Sequence, residues 1–365
     1  MGIIKTIRSR VFPASSKYFG QEMVELKSRL ENIEKENKEL RENIKVLTDK
    51  IDLYALQIYR KDNETNQEAR IRLFSRLPDA NGVLALYQKA NTKLLSILHD
   101  ICKKEHLDYW MWSGSAIATA GRGKSIPWDD DIDICMMRED LEKLRKIIKK
   151  NKKYEITIVY DNNARNIQYR FVSKNSLIQN FIDIVPCDWA TNADTKNNRI
   201  YKELKKELID KVETDERLMY WHEKRYLFKD KSSITYPGNT VEIDQEKAKE
   251  EIPIIEALFN EYIKKAYDAN ILCKSSKAKA IAYGLDNHQK EDRADIWDKQ
   301  TVFPTKLKKY ENIKVRVANL ETDFCNINYQ GWPFIPNDMG KNIHIPKAVI
   351  ESPETIEEME HFIKD

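Results

Sequence analysis

The chain has 365 residues, of which 33% are charged, and its formal net charge is +3. This length allows one large domain or two, and the nearly balanced charge excludes a broad nucleic-acid-binding surface. The five cysteines form no C-x-x-C pair, and no apolar run reaches the roughly 20 residues of a membrane span or forms a signal core. We therefore expect a protein that stays in the reducing environment of the cytoplasm.

The first twenty residues form a basic segment in which apolar and cationic positions alternate. The preferred interpretation is an unstructured basic tail. Two alternatives remain open: a short amphipathic stretch at the inner face of an anionic membrane, and N-myristoylation, whose pattern Gly2 and Thr6 fit.

Residues 21–62 predict a parallel coiled coil. Apolar residues recur in steps of three and four from Met23 to Ile58, over about five heptads, with Asn37 at an a position. Such an asparagine favours two strands in one register, and opposite charges such as Glu36 and Arg41 fall at facing g and e′ positions. We therefore expect a homodimer; the alternative is a long helix that folds back on its own domain.

The catalytic domain is expected over residues 80–365. Apolar spacing predicts a helix over Asn81–Glu105, followed by a short strand at Tyr109–Trp112. Gly114 and Ser115 lie at the junction with a small-residue helix, where backbone N–H groups can face a phosphate. Arg122 follows in a glycine-containing turn.

The sequence W-D-D-D-I-D-I-C-M, from Trp128 to Met136, places acids immediately before and within an apolar run. In an extended strand, Asp131 and Asp133 point to one face while Ile132 points to the other. Two carboxylates so close together repel unless a cation separates them, which indicates Mg²⁺ or Mn²⁺. A solvated acidic turn or an isolated Ca²⁺ loop would give the same D-x-D pattern.

A helix is predicted from Arg138, and two strands at 154–160 and 167–173. In the following strand, F-I-D-I-V, Asp183 interrupts an apolar run. A buried aspartate without a partner is costly, which favours a third metal ligand over a solvent-facing acid at a sheet edge.

These motifs resemble the nucleotidyltransferase superfamily typified by DNA polymerase β and, more closely, the LicD family. That family includes bacterial phosphorylcholine transferases and, more distantly, fukutin and fukutin-related protein. Its I-P-W-D-D-D-I-D string stands at Ile126–Asp133, its I-D-I-F-P-L-D resembles Ile182–Asp188, and its C-terminal tyrosine motif resembles Tyr329–Pro336 with His344. The sequence departs from the family at Arg122, one place beyond the family's arginine, and at an inserted Gln330.

The resemblance implies an α/β (α+β) fold with a polymerase-β-like core, a mixed sheet flanked by helices. It implies transfer of a phospho-alcohol from a CDP-activated donor to a glycan hydroxyl, with CMP released. Metal would be held by Asp131, Asp133 and Asp183. The remaining candidates are Gly114, Ser115, Arg122, Trp128 and Asp129 for the donor, and Tyr329, Trp332 and His344 for the acceptor or alcohol.

Two other functions remain open from the sequence. A nucleotidyltransferase would use the same three acids to move a nucleotide from an NTP to a sugar or small molecule, and would release pyrophosphate. The second alternative is an inactive dimeric scaffold, for which the coiled coil is the best argument.

Overall fold

The computed structural model describes residues 2–229, 231–235, 240–287, 294–329, 332, 345, 349 and 352–364. The chain divides into two units, Met1–Ala69 and Arg70–Asp365. In the described part of the chain, no helix combines the length and the apolar character needed to cross a membrane.

The first unit contains one long helix, α1 (Gly2–Tyr59), so the segment expected to be an unstructured tail is helical. The heptad residues remain between 49% and 71% exposed in the single chain: Met23, Leu26, Leu30, Ile33, Leu40, Ile44, Leu47, Ile51, Tyr54 and Ile58. Asn37 is also exposed on this helix. Exposed apolar residues at this spacing form a continuous apolar seam along one face of the helix.

The second unit is built on a mixed sheet. Its strands are β1 (Tyr109–Met111), β2 (Asp133–Met137), β3 (Tyr154–Asp161), β4 (Asn166–Ser173), β5 (Phe181–Ala190) and β6 (Tyr226–Phe228). Their order is β1-β2-β5-β4-β3-β6, and β2 and β5 run parallel to each other. Three further antiparallel pairs follow, of which the first two are the hairpin β7 (Ser233–Thr235) and β8 (Thr240–Glu242), and β9 (Ala280–Tyr283) with β10 (Ile296–Asp298). The last hairpin joins β11 (Lys306–Tyr310) to β12 (Ile313–Val317).

Helices flank this sheet. They are α2 (Asn66–Ser75), α3 (Gly82–Lys104), α4 (Ser113–Gly121), α5 (Arg138–Ile148), α6 (Thr195–Thr214), α7 (Met219–Lys224), α8 (Gln245–Asp268), α9 (Lys299–Val302), α10 (Glu321–Asn328) and α11 (Pro353–Lys364). In α3, Tyr87, Leu94 and Leu98 lie on one face at helical spacing and are fully buried. This apolar stripe fixes which side of the helix packs inward.

The predicted elements agree with the structure except at some of their ends. Helix α5 begins at Arg138 as predicted, and the strands β3 and β4 lie within one residue of their predicted bounds. Strand β5 continues to Ala190, beyond the expected Val185, because its second half pairs with β9. The stretch 200–300 combines helices with the strands β6 to β10.

Candidate active site

Two adjacent parallel strands bring Asp133 and Asp183 side by side. These residues are direct partners in the pairing of β2 with β5, and the amide of Asp183 donates to the carbonyl of Ile132 at 2.9 Å. Directly paired residues point to the same face of a sheet. The parallel register therefore places both carboxylates on one side.

Asp131 joins them from just before β2, because the strand begins only at Asp133. Ile132 is 2% exposed and packs in the core, so the alternation of inward and outward side chains starts ahead of the paired strand. Asp131, Asp133 and Asp183 each offer one carboxylate oxygen, and these oxygens all lie within 4.8 Å of one another. The structure thus brings together the three acids singled out in the sequence.

The electrostatics of this cluster favour a cation. Burial, followed by the charges of Asp131 and Asp183, raises the pKa of Asp133 well above its ordinary value, and a hydrogen bond from Ser113 opposes the rise. Hard carboxylate oxygens at this separation are the ligands that Mg²⁺ and Mn²⁺ take in proteins. The three side chains therefore fit a divalent metal ion.

The site contains a cation that the sequence did not reveal. Arg170 in β4 pairs directly with Asp183, and its guanidinium donates from Nε at 2.8 Å and from Nη2 at 3.3 Å to the two carboxylate oxygens. The same guanidinium lies 3.8 Å from the centre of the Phe181 ring and is almost fully buried. A basic residue inside an alternating strand was the available signal, but its partner depends on the register of the sheet.

The start of α4 lies against the carboxylates. The helix begins at Ser113, earlier than the predicted Ala116, and Ser113 adopts a left-handed φ of 48°. The hydroxyl of Ser115 accepts a hydrogen bond from the amide of Asp133 at 3.0 Å. Ser115 therefore fixes the backbone that carries Asp133, and the uncommon conformation of Ser113 is typical of functional sites.

Gly114 leaves room for the side chain of Asp129. A Cβ added at Gly114 would lie 2.5 Å from Oδ2 of Asp129, closer than any real contact. The carboxylate of Asp129 therefore lies against the first turn of α4. The positive end of a helix dipole favours a carboxylate at such a position.

Asp130 has a different environment. It is 1% exposed, its carboxylate accepts a hydrogen bond from the amide of Ile345 at 2.6 Å, and its carbonyl accepts one from Asn91 at 2.8 Å. The amide of Asn180 donates in turn to Asn91 at 2.7 Å. These contacts anchor the loop that carries the neighbouring acids.

Arg122 lies at the other end of α4. Arg122 is eight positions after Gly114, so at a rise of 1.5 Å per residue their backbones are about 12 Å apart along the helix axis. Its side chain is 1% exposed and forms an ion pair with Asp79. The structure therefore does not bring Arg122 to the carboxylates.

The predicted aromatic residues lie in the core. Trp128 is partly buried and packs against the main core cluster. Tyr329 and Trp332 are 6% and 2% exposed; the Tyr329 ring lies 5.9 Å from that of Trp112, and Trp332 donates to the side chain of Asn326 at 2.8 Å. His344 lies outside the described residues.

Asp188, at the end of the second strand motif, belongs to a separate ion cluster. Arg138 donates to both of its oxygens at 2.7 Å and also binds Asp286. Five residues of β5 separate Asp188 from Asp183, about 16 Å along the strand. Asp188 therefore belongs to an ion pair near the end of β5, away from the three carboxylates.

Comparison with known proteins identifies a domain. Residues 106–225 match the model of the LicD/FKTN/FKRP nucleotidyltransferase domain, which confirms the family resemblance. A protein of Rickettsia prowazekii, described as uncharacterized protein RP689, is 32% identical over 78 residues. The aligned part covers 21% of this chain and 27% of that relative, so the chain spans about a quarter of the length of the relative it matches.

Proposed function

Because residues 106–225 match the LicD/FKTN/FKRP nucleotidyltransferase domain, we propose that the chain is a metal-dependent phosphotransferase with a polymerase-β-like core. It moves a phospho-alcohol, such as phosphocholine or ribitol phosphate, from a CDP-activated donor to a hydroxyl of a cell-surface or capsular glycan. CMP is the leaving group.

The observation that carries this proposal is the convergence of three carboxylates next to a helix start and a buried arginine. Asp131, Asp133 and Asp183 would hold Mg²⁺ or Mn²⁺. When bound, the metal neutralises charge on the donor phosphates, which is the main requirement of phosphoryl transfer.

The side chains of the chain position the reaction. Asp183 would accept the proton of the attacking hydroxyl. Arg170 holds that carboxylate with a two-pronged hydrogen bond and brings a fixed positive charge to the site. Ser115, through the amide of Asp133, keeps the neighbouring carboxylate in place.

Product analysis tests the proposal. Purified full-length protein with Mg²⁺ is incubated with CDP-choline, CDP-ribitol or CDP-glycerol and candidate glycans, and nucleotide products are separated by chromatography. The proposal expects CMP from one of these donors. Pyrophosphate from an NTP, without CMP from any CDP-alcohol, would instead support the nucleotidyltransferase alternative, and no product with either donor class would favour a scaffold.

We further propose that the helix α1 forms a parallel two-stranded coiled coil with a second copy of the chain. Its exposed apolar seam supports this, because each a or d residue would enter a hole formed by four residues of the facing helix. The amide of Asn37 would pair with its copy across the two-fold axis. The dimer would carry two catalytic domains on one stalk, an arrangement suited to repeated addition along a glycan.

A further inference from the structure

The row of paired residues that contains the carboxylates extends one strand further. Asp133, Asp183, Arg170 and Thr157 are successive direct partners across β2, β5, β4 and β3. They therefore share one face of the sheet, and Thr157 stands two strand spacings, about 10 Å, from Asp183. Any groove over β3 and β4 on this face opens beside the candidate metal site.

Such a groove exists on this face. A cleft of about 270 Å³, here called the β4 cleft, is lined by Thr157, Arg170, Lys174, Asn180, Phe181 and Lys231, among others. Its walls hold two buried oxygens, Oγ1 of Thr157 and Oδ1 of Asn180, that have no hydrogen-bond partner among the described residues. The orientation of Asn180 is fixed, because its amide nitrogen donates to Asn91 and to the carbonyl of Tyr87. An unsatisfied buried oxygen is energetically costly, so both oxygens gain from a ligand that brings hydroxyl groups.

A second cleft adjoins the first at the beginning of β3, ahead of the residues Val159–Asp161 that pair with β6. This basic cleft, of about 400 Å³, is lined by six cationic side chains: Arg145, Lys146, Lys149, Lys174, Lys229 and Lys231. Two carboxylates, Glu142 and Glu155, also line it. The two clefts share Glu155, Thr157, Lys174 and Lys231, so they adjoin, and they are together called the groove below.

The positive charge of the basic cleft is only partly balanced. Glu142 pairs with Arg145, and Glu155 pairs with Lys231. Lys146 and Lys149, both exposed in the last turn of α5 and at its end, form no ion pair with any described residue. An anion that enters this cleft therefore meets cations whose charge is not already neutralised.

We propose that this groove binds the acceptor, and that the acceptor is an anionic glycan, with its reacting hydroxyl at Asp183 and its charged groups in the basic cleft. This inference rests on the phosphotransferase proposed above. The two buried oxygens that lack a hydrogen-bond partner among the described residues line the β4 cleft, near the carboxylates, and the cations of the basic cleft lie farther away. This arrangement matches a sugar chain that carries phosphodiester or carboxylate groups along its length.

The shape and chemistry of the groove favour a glycan over other polyanions. A membrane surface does not bend into a concave cleft. Single-stranded nucleic acid binds through stacking on aromatic rings. The described residues that line the basic cleft include no aromatic side chain, and the Phe181 ring in the β4 cleft is covered by the Arg170 guanidinium.

Binding of a model polyanion by the full-length protein tests the groove. Fluorescein-labelled dextran sulfate and uncharged dextran of equal length are titrated with wild-type protein and with Lys146→Glu/Lys149→Glu, and fluorescence anisotropy gives the Kd. The matched control is Lys103→Glu/Lys104→Glu, which makes the same charge change at exposed positions in the last turn of α3. Thermal melts verify that each variant is folded.

The wild-type protein should bind dextran sulfate and not uncharged dextran. The Lys146/Lys149 variant should bind at least about tenfold more weakly, equivalent to about 1.4 kcal/mol, while the control changes by less than about twofold. Equal losses in both variants, or equal binding of the two dextrans, would overturn the proposal. So would tighter binding of oligothymidine or of phosphatidylserine vesicles with the same dependence on Lys146 and Lys149.

The assay contains neither donor nor metal, so its outcome is independent of catalysis. CMP release with normal kcat, but without any polyanion binding, would refute the groove and leave the phosphotransferase intact. Polyanion binding that depends on Lys146 and Lys149, without CMP from any CDP-alcohol, would refute the phosphotransferase alone. Where both hold, the Lys146→Glu/Lys149→Glu variant should raise KM for an anionic glycan and leave kcat unchanged.

Discussion

Asp133→Asn should stabilise the metal-free protein while abolishing its response to metal. The carboxylate oxygens lie within 4.8 Å of one another, so with an effective dielectric constant of about 20 each pair of charges repels by at least about 3.5 kcal/mol. Asp133 takes part in two of the three such pairs, and Arg170 offsets the charge of Asp183 only. Asparagine keeps the shape and can still accept from Ser113, so the substitution mainly removes repulsion.

The effect should depend on pH. Because burial and Asp131 raise the pKa of Asp133 in the folded protein, the metal-free native state binds more protons than the unfolded state. Its stability therefore falls as pH rises from about 4, the unfolded pKa of an aspartate, through the raised native pKa. Asp133→Asn should match wild type in acid and exceed it at pH 8 in EDTA by at least about 1 kcal/mol, or about 2–4 °C in Tm.

Thermal melts in EDTA and in Mg²⁺, at several pH values, measure this difference. Mg²⁺ should raise the Tm of wild type, because it binds only the folded state, and should leave the variant unchanged. Asp100→Asn, at an exposed position in α3, provides the matched control and should behave as wild type. A variant that is less stable than wild type in EDTA at pH 8, or that gains as much from Mg²⁺, would refute the metal site.

Three further predictions concern Arg170, Asp129 and the helix α1. Arg170→Met removes the guanidinium that pairs with the buried carboxylate of Asp183, so it should lower the free energy of unfolding of the metal-free protein by about 3–5 kcal/mol. In Mg²⁺ the loss should be smaller, because the metal ion supplies positive charge at the same carboxylate. Urea unfolding with and without Mg²⁺ measures the two losses, and equal losses would contradict the idea that Arg170 and the metal act on the same carboxylate. Asp129→Asn should retain more CMP release than Asp131→Asn, because Asp129 lies against the first turn of α4 and outside the group of three converging carboxylates. Equal damage would require the metal ligands to be reassigned. Deletion of residues 1–62 should leave an active domain of lower oligomeric state by light scattering, whereas a full-length monomer would refute the coiled coil.

Local patterns predicted the elements that carry the acids. The helix α5 was placed at Arg138 because Glu139 and Asp140 suit its first turn, and Asp183 was found because it interrupts an apolar strand. Each of these two signals is contained in a few neighbouring residues of the chain. The family motif at Ile126–Asp133 then identified the domain.

The parts that the sequence did not predict depend on contacts far apart in the chain. Arg170 meets Asp183 only because β4 lies beside β5, and nothing in either strand states that register. The distance of Arg122 from the site follows from α4 being one continuous helix that starts at Ser113. A turn before residue 116 would have allowed the arginine to lie closer.

The charges of the site and of the groove together imply an order of binding. Without metal, the described residues of the site present three carboxylates against the guanidinium of Arg170, so their net charge repels the diphosphate of a donor. The basic cleft lies beyond β4 and attracts anions whether or not metal is present. A divalent ion at the carboxylates removes the repulsion only there. We therefore expect donor binding to require metal and acceptor binding to be independent of it, a difference that follows from the separation of the two charged regions by two strands.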